Sequence, residues 1–223
     1  LMMRKKPMLA IPVSNKPIDY DKPVFMQPKL DGVRCLIQYD AGEITAYSRT
    51  GKEWKNINHI LVSLLPFFEK HPNIILDGEL YNHDFKDDFE SIISMVRKTK
   101  PTGEDVLKSA ENVQFHCYDT IMEHMPFEDR YKFIVDNLRD SYCVRTVETI
   151  QIPNQLEAKE MHDVNLNSGF EGSILRANDL YKCGRSWSLR KFKDFSDAEA
   201  TIIGYVDGKG KRTGTLGKFL MRD

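Results

Sequence analysis

The chain has no Cys-x-x-Cys pair, no long apolar run and almost no net charge, and each absence closes off a class of protein. Its four cysteines, Cys35, Cys117, Cys143 and Cys183, are scattered over 223 residues, which argues against a zinc site and against a disulfide framework. All four are expected to be buried, reduced packing residues. No apolar stretch approaches the ~20 residues of a membrane-spanning helix. The patch Met8-Leu9-Ala10-Ile11 is cut short by Pro12 and makes a poor signal peptide. The expectation is a globular protein that works inside a cell, with no membrane partner. Repeats and low-complexity tracts are missing too, apart from the basic run Gly208-Lys209-Gly210-Lys211-Arg212-Thr213-Gly214. With 41% hydrophobic residues, the length supports one substantial core and part of a second unit.

The formal net charge of −1 does not by itself mark a nucleic-acid binder. Its distribution says more, because residues 182–223 hold ten basic side chains and five acidic ones. Phosphates respond to such a patch rather than to the net charge.

One stretch, Lys29-Leu30-Asp31-Gly32-Val33-Arg34, follows directly on the strand-like run Val24-Phe25-Met26 and on Gln27-Pro28. A lysine placed there can be a nucleophile, Gly32 permits a sharp turn or a close backbone approach, and Arg34 offers a donor fork suited to phosphate or sugar oxygens. Alone, the same residues also describe a solvated surface turn. A free lysine, with a pKa of about 10.4, is almost wholly charged at neutral pH, so presenting a neutral amine costs about 4–5 kcal/mol unless the site lowers that pKa. Neighbouring cations and a divalent metal are the devices available.

In chain order, residues 1–23 are rich in proline and lysine, start on Leu1 as a fragment would, and are expected to be extended. Arg34 to Tyr39 and Ile44 to Tyr47 read as a hairpin turning at Asp40-Ala41-Gly42-Glu43. The loop Ser48-Arg49-Thr50-Gly51-Lys52 follows, where backbone amides and Arg49 could meet a phosphate. Ile57 to Lys70 has helical spacing, with Pro66 expected to bend or end the helix. Asn73 to Leu80 reads as a buried strand carrying Asp77 and Glu79, which are costly there unless paired or hydrogen-bonded. Asp84 to Lys98 is helical, Val113 to Asp119 a strand, Phe127 to Leu138 a helix and Cys143 to Ile150 a β-branched strand. His116 is expected to be an ordinary, satisfied strand histidine. Asn154 and Glu157 cap a helix running to about Asn167. Glu171-Gly172-Ser173-Ile174-Leu175-Arg176 then starts a strand, Tyr181 to Ser186 forms a basic loop, and a final strand over Leu189 to Phe195 points Lys191 and Lys193 to one face.

The six-residue lysine stretch resembles the nucleotide-attachment motif of covalent nucleotidyltransferases, which include ATP-dependent DNA ligases, RNA ligases and mRNA-capping guanylyltransferases. Five short motifs occur in the order found in ATP-dependent DNA ligases of the minimal phage and bacterial type, over nearly the whole chain. The resemblance implies an α+β adenylation domain of antiparallel sheets flanked by helices over residues 1–195. It implies that Lys29 becomes adenylated, that Arg34 contacts the ribose or the nick, and that Arg49 holds a DNA phosphate. Glu79 would bind the ribose and help place a metal, Tyr118 would stack on adenine, Glu171 would bind the metal, and Lys191 and Lys193 would grip the α-phosphate. The cofactors implied are ATP and Mg2+ or Mn2+, and the partner is nicked duplex DNA, acted on by a monomer in the cytoplasm or at the nucleoid of a bacterial or phage-infected cell.

Two departures from the family pattern stand out. Many ligases carry an acid two residues before the nucleophile, where this chain has Gln27, which can still hydrogen-bond an adenine edge. Residues 196–223 are too few for a five-stranded OB-fold barrel and are expected to be the start of an incomplete one, its basic loop offering Lys209, Lys211 and Arg212 to DNA. The alternatives are an RNA ligase or capping guanylyltransferase, and a nick-binding module that has lost catalysis.

Overall fold

The computed structural model describes residues 4–193. The expected OB-fold start at 196–223, with Lys209, Lys211 and Arg212, lies outside the described residues. In chain order the elements are β1 (Met8–Pro12), β2 (Val24–Lys29), β3 (Val33–Asp40), β4 (Glu43–Tyr47), α1 (Asn58–Ser63), α2 (Leu65–Lys70), β5 (Ile75–Tyr81), α3 (Phe89–Val96), α4 (Gly103–Asn112), β6 (Gln114–Ile121), α5 (Phe127–Asn137), β7 (Val144–Thr146), β8 (Ile150–Ile152), α6 (Gln155–Asn167), β9 (Gly172–Ala177) and β10 (Gly184–Phe192). They fall into two compact units. One contains Asp31–Val147 with the residues up to Pro7, and the other Met8–Leu30 with the residues from Glu148 onward.

The first unit is built on a five-stranded sheet of order β4-β3-β5-β6-β7. Its core gathers Cys35, Ile37, Leu76, Leu80, Phe115 and Cys117 from the sheet with Ile60, Phe68, Ile92, Val96 and Ile134 from the helices and Leu64 from the junction of α1 and α2. The β3–β4 hairpin turns through Ala41 and Gly42, both with positive φ, the geometry of the two-residue turn that matches strand twist. The second unit is built on a sheet of order β1-β10-β9-β2-β8. Val24, Met26, Leu175 and Phe192 from its strands, with Ala158 of α6, make a smaller core.

Several expectations need correction. The sheets are mixed rather than purely antiparallel, since β1 runs parallel to β10 and β6 parallel to β7. Each parallel pair is joined by a long excursion, and such pairs require one. The helix expected over Ile57–Lys70 is two helices broken at Leu64, with Pro66 in the first turn of the second. A proline is tolerated in a first turn, where its missing N–H has no partner to lose. The strand expected over Cys143–Ile150 is split, β7 pairing with β6 and β8 with β2, because the chain passes from one unit to the other after Val147. Cys183 is exposed, unlike the other three cysteines. It precedes Gly184, whose φ of 96° turns the chain into β10. Helix α4 had no counterpart among the expected elements, although Thr102 and Asp105 form a full capping box at its start.

Asp119 and Arg130 are buried in the first unit, at 0% and 1% exposure. Arg130 donates from Nε and NH2 to the two carboxylate oxygens at 2.8 and 3.1 Å, and from NH1 to Met125 O at 2.8 Å. Arg130→Met strips a buried carboxylate of its counter-charge and should cost about 3–5 kcal/mol, read as a lower midpoint in urea denaturation. In the second unit burial holds the His162 pKa down at about 4, below the ~6.5 of an unfolded histidine. Above pH 6.5 both states are neutral and the full stability is present. As pH falls from there towards 4, only the unfolded state takes up the proton, so stability declines by up to about 1.4 kcal/mol per pH unit. Thermal melts across this range should show that decline, reduced in His162→Asn.

Candidate active site

The boundary between the units falls at Leu30/Asp31, inside the lysine stretch itself, so the site residues form two clusters. In the second unit Lys29 is the last residue of β2, which pairs antiparallel with β9 so that Lys29 faces Gly172. The Glu171 N–H donates to the Lys29 carbonyl at 3.2 Å, which brings the Glu171 side chain beside that of Lys29. The Lys29 ammonium forms an ion pair with Glu171 Oε1, while Lys193 Nζ lies 3.7 Å from Oε2 of the same carboxylate. Lys191 belongs to this cluster too. Its pKa is pushed down by burial first and then by the neighbouring Lys29, Arg185 and Lys193 cations, against the opposing pull of Glu171.

Gly172 is needed at the crossing for close approach. A Cβ there would lie 2.3 Å from Phe192 O and 2.8 Å from Lys193 Cα, so only glycine lets β9 run this close to the Lys193 backbone. Among the described residues the cluster sets the Glu171 carboxylate among three lysines and an arginine, a local surplus of positive charge that suits an anion such as a polyphosphate.

Gln27, two residues before Lys29 on the same strand, is 2% exposed. Its Oε1 accepts from Arg176 Nε at 2.8 Å and its Nε2 donates to Thr149 Oγ1 at 2.9 Å. The sequence reading missed Arg176 and Thr149. The register of β9 against β2 brings Arg176 there, because Gly172, Ile174 and Arg176 alternate onto the face that carries Gln27.

The first unit holds the other cluster, on β3, β5 and β6. Arg34 donates from Nε and NH2 to the two oxygens of the fully buried Asp77, at 2.7 and 2.8 Å. Glu79, opposite Arg34 in register, accepts from the Tyr118 hydroxyl at 2.9 Å and from the Gly32 N–H at 3.3 Å. A Cβ on Gly32 would meet Leu80 O at 2.1 Å, so this glycine serves close approach rather than a turn. The pairing of β5 with β6 shifts between Asp77 and Gly78, which face Asp119 and Cys117. Tyr118 is left opposite neither, and such a bulge re-aims a side chain. Its ring lies under the Arg34 guanidinium, 5.5 Å from centroid to Cζ. Burial raises the Tyr118 pKa well above the ordinary phenol value, which keeps it a hydrogen-bond donor.

Arg49 is exposed on its loop, but the loop's amides do not point outward. The N–H groups of Thr50 and Lys52 donate to Ser48 Oγ at 3.3 and 3.0 Å, and that of Gly51 to Ser48 O at 2.9 Å. Arg4, absent from the expected set, reaches the loop from the N-terminal segment and donates to Gly51 O at 2.7 Å. His116 is satisfied as expected, its Nε2 lying 2.9 Å from Gln114 Oε1. The two expected metal-binding acids, Glu171 and Glu79, lie in different units. Among the described residues there is no group of three or more His, Cys, Asp or Glu side chains able to hold a metal ion.

Comparison with known proteins settles the family. The sequence profile of the ATP dependent DNA ligase domain matches residues 7–193. The chain belongs to this family. It is 29% identical over 204 residues to a DNA ligase of African swine fever virus, covering 86% of this chain and 46% of the viral protein. Against a DNA ligase of Halobacterium salinarum it is 25% identical over 215 residues, covering 88% and 37%. It thus spans less than half the length of these curated relatives. The fold matches that of a Chlorella virus DNA ligase-adenylate, with a TM-score of 0.62 and 21% identity over 85% of this chain and 67% of that one. Among the described residues of this ligase-family chain, no helix is long and apolar enough to cross a membrane.

An anion that fills the cationic cluster should stabilise the fold by mass action, about 2.7 kcal/mol at a hundred times its Kd. Inorganic pyrophosphate is therefore expected to raise the thermal midpoint of the parent chain. The rise should be largely lost in a Lys191→Met/Lys193→Met variant.

Proposed function

We propose that this chain is the nucleotidyl-transferring part of an ATP-dependent DNA ligase. Lys29 Nζ attacks the α-phosphate of ATP, pyrophosphate leaves, and Lys29 carries AMP through a P–N bond. The AMP then passes to the 5′-phosphate of a nick in duplex DNA, and the 3′-hydroxyl displaces it to close the strand. The observation that carries this reading is the juxtaposition of Lys29 with Glu171 and Lys193, with Lys191 beside them. It supports the reading because a cation cluster around a lysine suits the charge of a transferring phosphate.

An ammonium has no lone pair, so the Lys29 proton must leave before attack. Glu171 is the nearest group able to accept it or to let it go to water. Lys191 and Lys193 would hold the phosphate oxygens, and Arg185 adds positive charge on the same side. Glu171 in the second unit and Glu79 in the first are each assigned to binding Mg2+ or Mn2+. Carboxylate oxygens suit such hard cations, which commonly take one or two protein carboxylates and fill the rest of their shell with phosphate oxygens and water. The metal, when bound, neutralises charge on the phosphate. Gln27, held by Arg176 and Thr149, and Tyr118, held against Glu79, are assigned to the nucleobase and sugar. Arg34 and Arg49 are assigned to phosphates of the nick, on which the chain acts as a monomer.

The deciding experiment is the intact mass of the purified chain after incubation with Mg2+ and either ATP or GTP, beside Lys29→Ala. One AMP added to the parent and none to the variant, with a cooperative melt retained in both, is the expected result. A GMP adduct would move the chain to the capping enzymes. No adduct with either nucleotide on a folded parent would leave a nick-binding module instead.

A further inference from the structure

Three strands bring the reacting residues of the second unit into one row. Lys29 of β2 faces Gly172 of β9, next to Glu171, and Gly172 lies against Lys193 just past the end of β10. The row immediately behind it consists of Pro28, Ser173 and Phe192, paired across the same strands. Any shift of this second row moves the first, because each residue in it is the chain neighbour of a residue at the reaction centre.

His162 of α6 grips two of the three residues of the second row. Its Nδ1 lies 2.7 Å from Ser173 Oγ, and its ring stacks on Phe192 with centroids 4.1 Å apart and 33° between planes. Asn165, one turn further along α6, donates from Nδ2 to the same Ser173 Oγ at 2.9 Å. Its carbonyl accepts from the N–H of Phe170, the residue before Glu171, at 3.0 Å. Ser173 Oγ thus accepts from Asn165, and its own proton is directed at His162 Nδ1, an assignment that leaves the imidazole proton on Nε2.

His162 is fully buried, and its Nε2 has no hydrogen-bond partner among the described residues. A buried, unsatisfied polar atom lowers stability. For filling space beside Phe192 a phenylalanine would serve without that cost. The feature that distinguishes histidine from an apolar ring here is Nδ1, directed at Ser173.

We propose that His162, with Asn165, is a positioning residue for the adenylation reaction. It holds the Ser173 hydroxyl and the Phe192 ring so that Glu171, Lys29 and Lys193 keep their register. The proposal rests on the reading of Lys29 as the nucleotide acceptor. Two substitutions separate positioning from packing. His162→Phe keeps the ring against Phe192 and removes the acceptor for Ser173. His162→Asn removes the ring and keeps a side-chain amide oxygen close to the place of Nδ1.

Single-turnover adenylation at saturating ATP should slow by about tenfold or more in His162→Phe, since misplacement of reacting groups by about 1 Å can cost a hundredfold. Its apparent KM for ATP should stay near that of the parent and its thermal midpoint should not fall. In His162→Asn the midpoint should fall while the rate stays within about threefold of the parent, because the hydrogen bond that orients Ser173 survives. Rate and stability would then change independently of each other, which a purely structural histidine cannot produce. Full-rate adenylation by His162→Phe, or rates that follow the midpoints in both variants, would overturn the proposal alone. An absence of adduct on the parent would remove the reaction, and the proposal with it.

Discussion

Lys29 and Glu171 lie 142 positions apart in sequence and meet only because β2 and β9 run antiparallel in one particular register. The chemistry of the second unit depends on that register. A slip of one residue would exchange the two faces of β9, turning Ile174 and Arg176 away from Gln27 and moving Glu171 off Lys29. Several features oppose such a slip. Gly172 alone fits against Phe192 and Lys193, and Arg176 bonds Gln27 across the strands. On the other face, Ser173 is held by two side chains of α6. The short, tightly specified strand therefore acts as the gauge against which Lys29 on one neighbour and the lysines on the other are set.

The first unit solves a different problem, how to keep acids inside a sheet. Asp77 and Asp119 face each other across β5 and β6 and are both fully buried. Two adjacent carboxylates would repel strongly, and each has its own arginine, Arg34 from β3 and Arg130 from α5. Such pairs add little net stability over apolar residues of equal volume. Their consequence here is directional. Arg130 commits α5 to one place along β6, and Asp77 commits the Arg34 guanidinium to the end of the sheet that carries Glu79 and Tyr118.

How much of this could be read in advance follows from how local each signal is. Lys29, Gly32 and Glu171 sit in short segments whose residue types already state a chemistry, and Val24–Lys29, Ile75–Tyr81 and Gln155–Asn167 announce themselves by periodicity or caps. The partners of those residues are non-local. Nothing near Gln27 in sequence points to Arg176, 149 positions away, and nothing near Gly51 points to Arg4, 47 away. His162 looks like any polar residue of an amphipathic helix until α6 is laid on β9. The bulge at Tyr118 is equally invisible, because a run of alternating residues contains no mark of the position at which pairing slips. The interleaving of the two units, which splits the segment around Val147, is a property of topology and leaves no trace in composition.

Asp77 also decides how freely the Arg34 guanidinium can move. A guanidinium swinging from solvent onto a phosphate would have to leave its partner behind, and that partner has no access to water, so release would strand a buried carboxylate at a cost of several kcal/mol. Arg34 is therefore a fixed charge whose Nε and NH2 donate to Asp77 and whose guanidinium lies over the Tyr118 ring. Lys191 and Lys193 differ in kind. Among the described residues they share the Glu171 carboxylate while crowding one another, and an anion beside them would ease that repulsion. The first unit therefore carries charge fixed by buried ion pairs, whereas the second gathers like charges along one sheet.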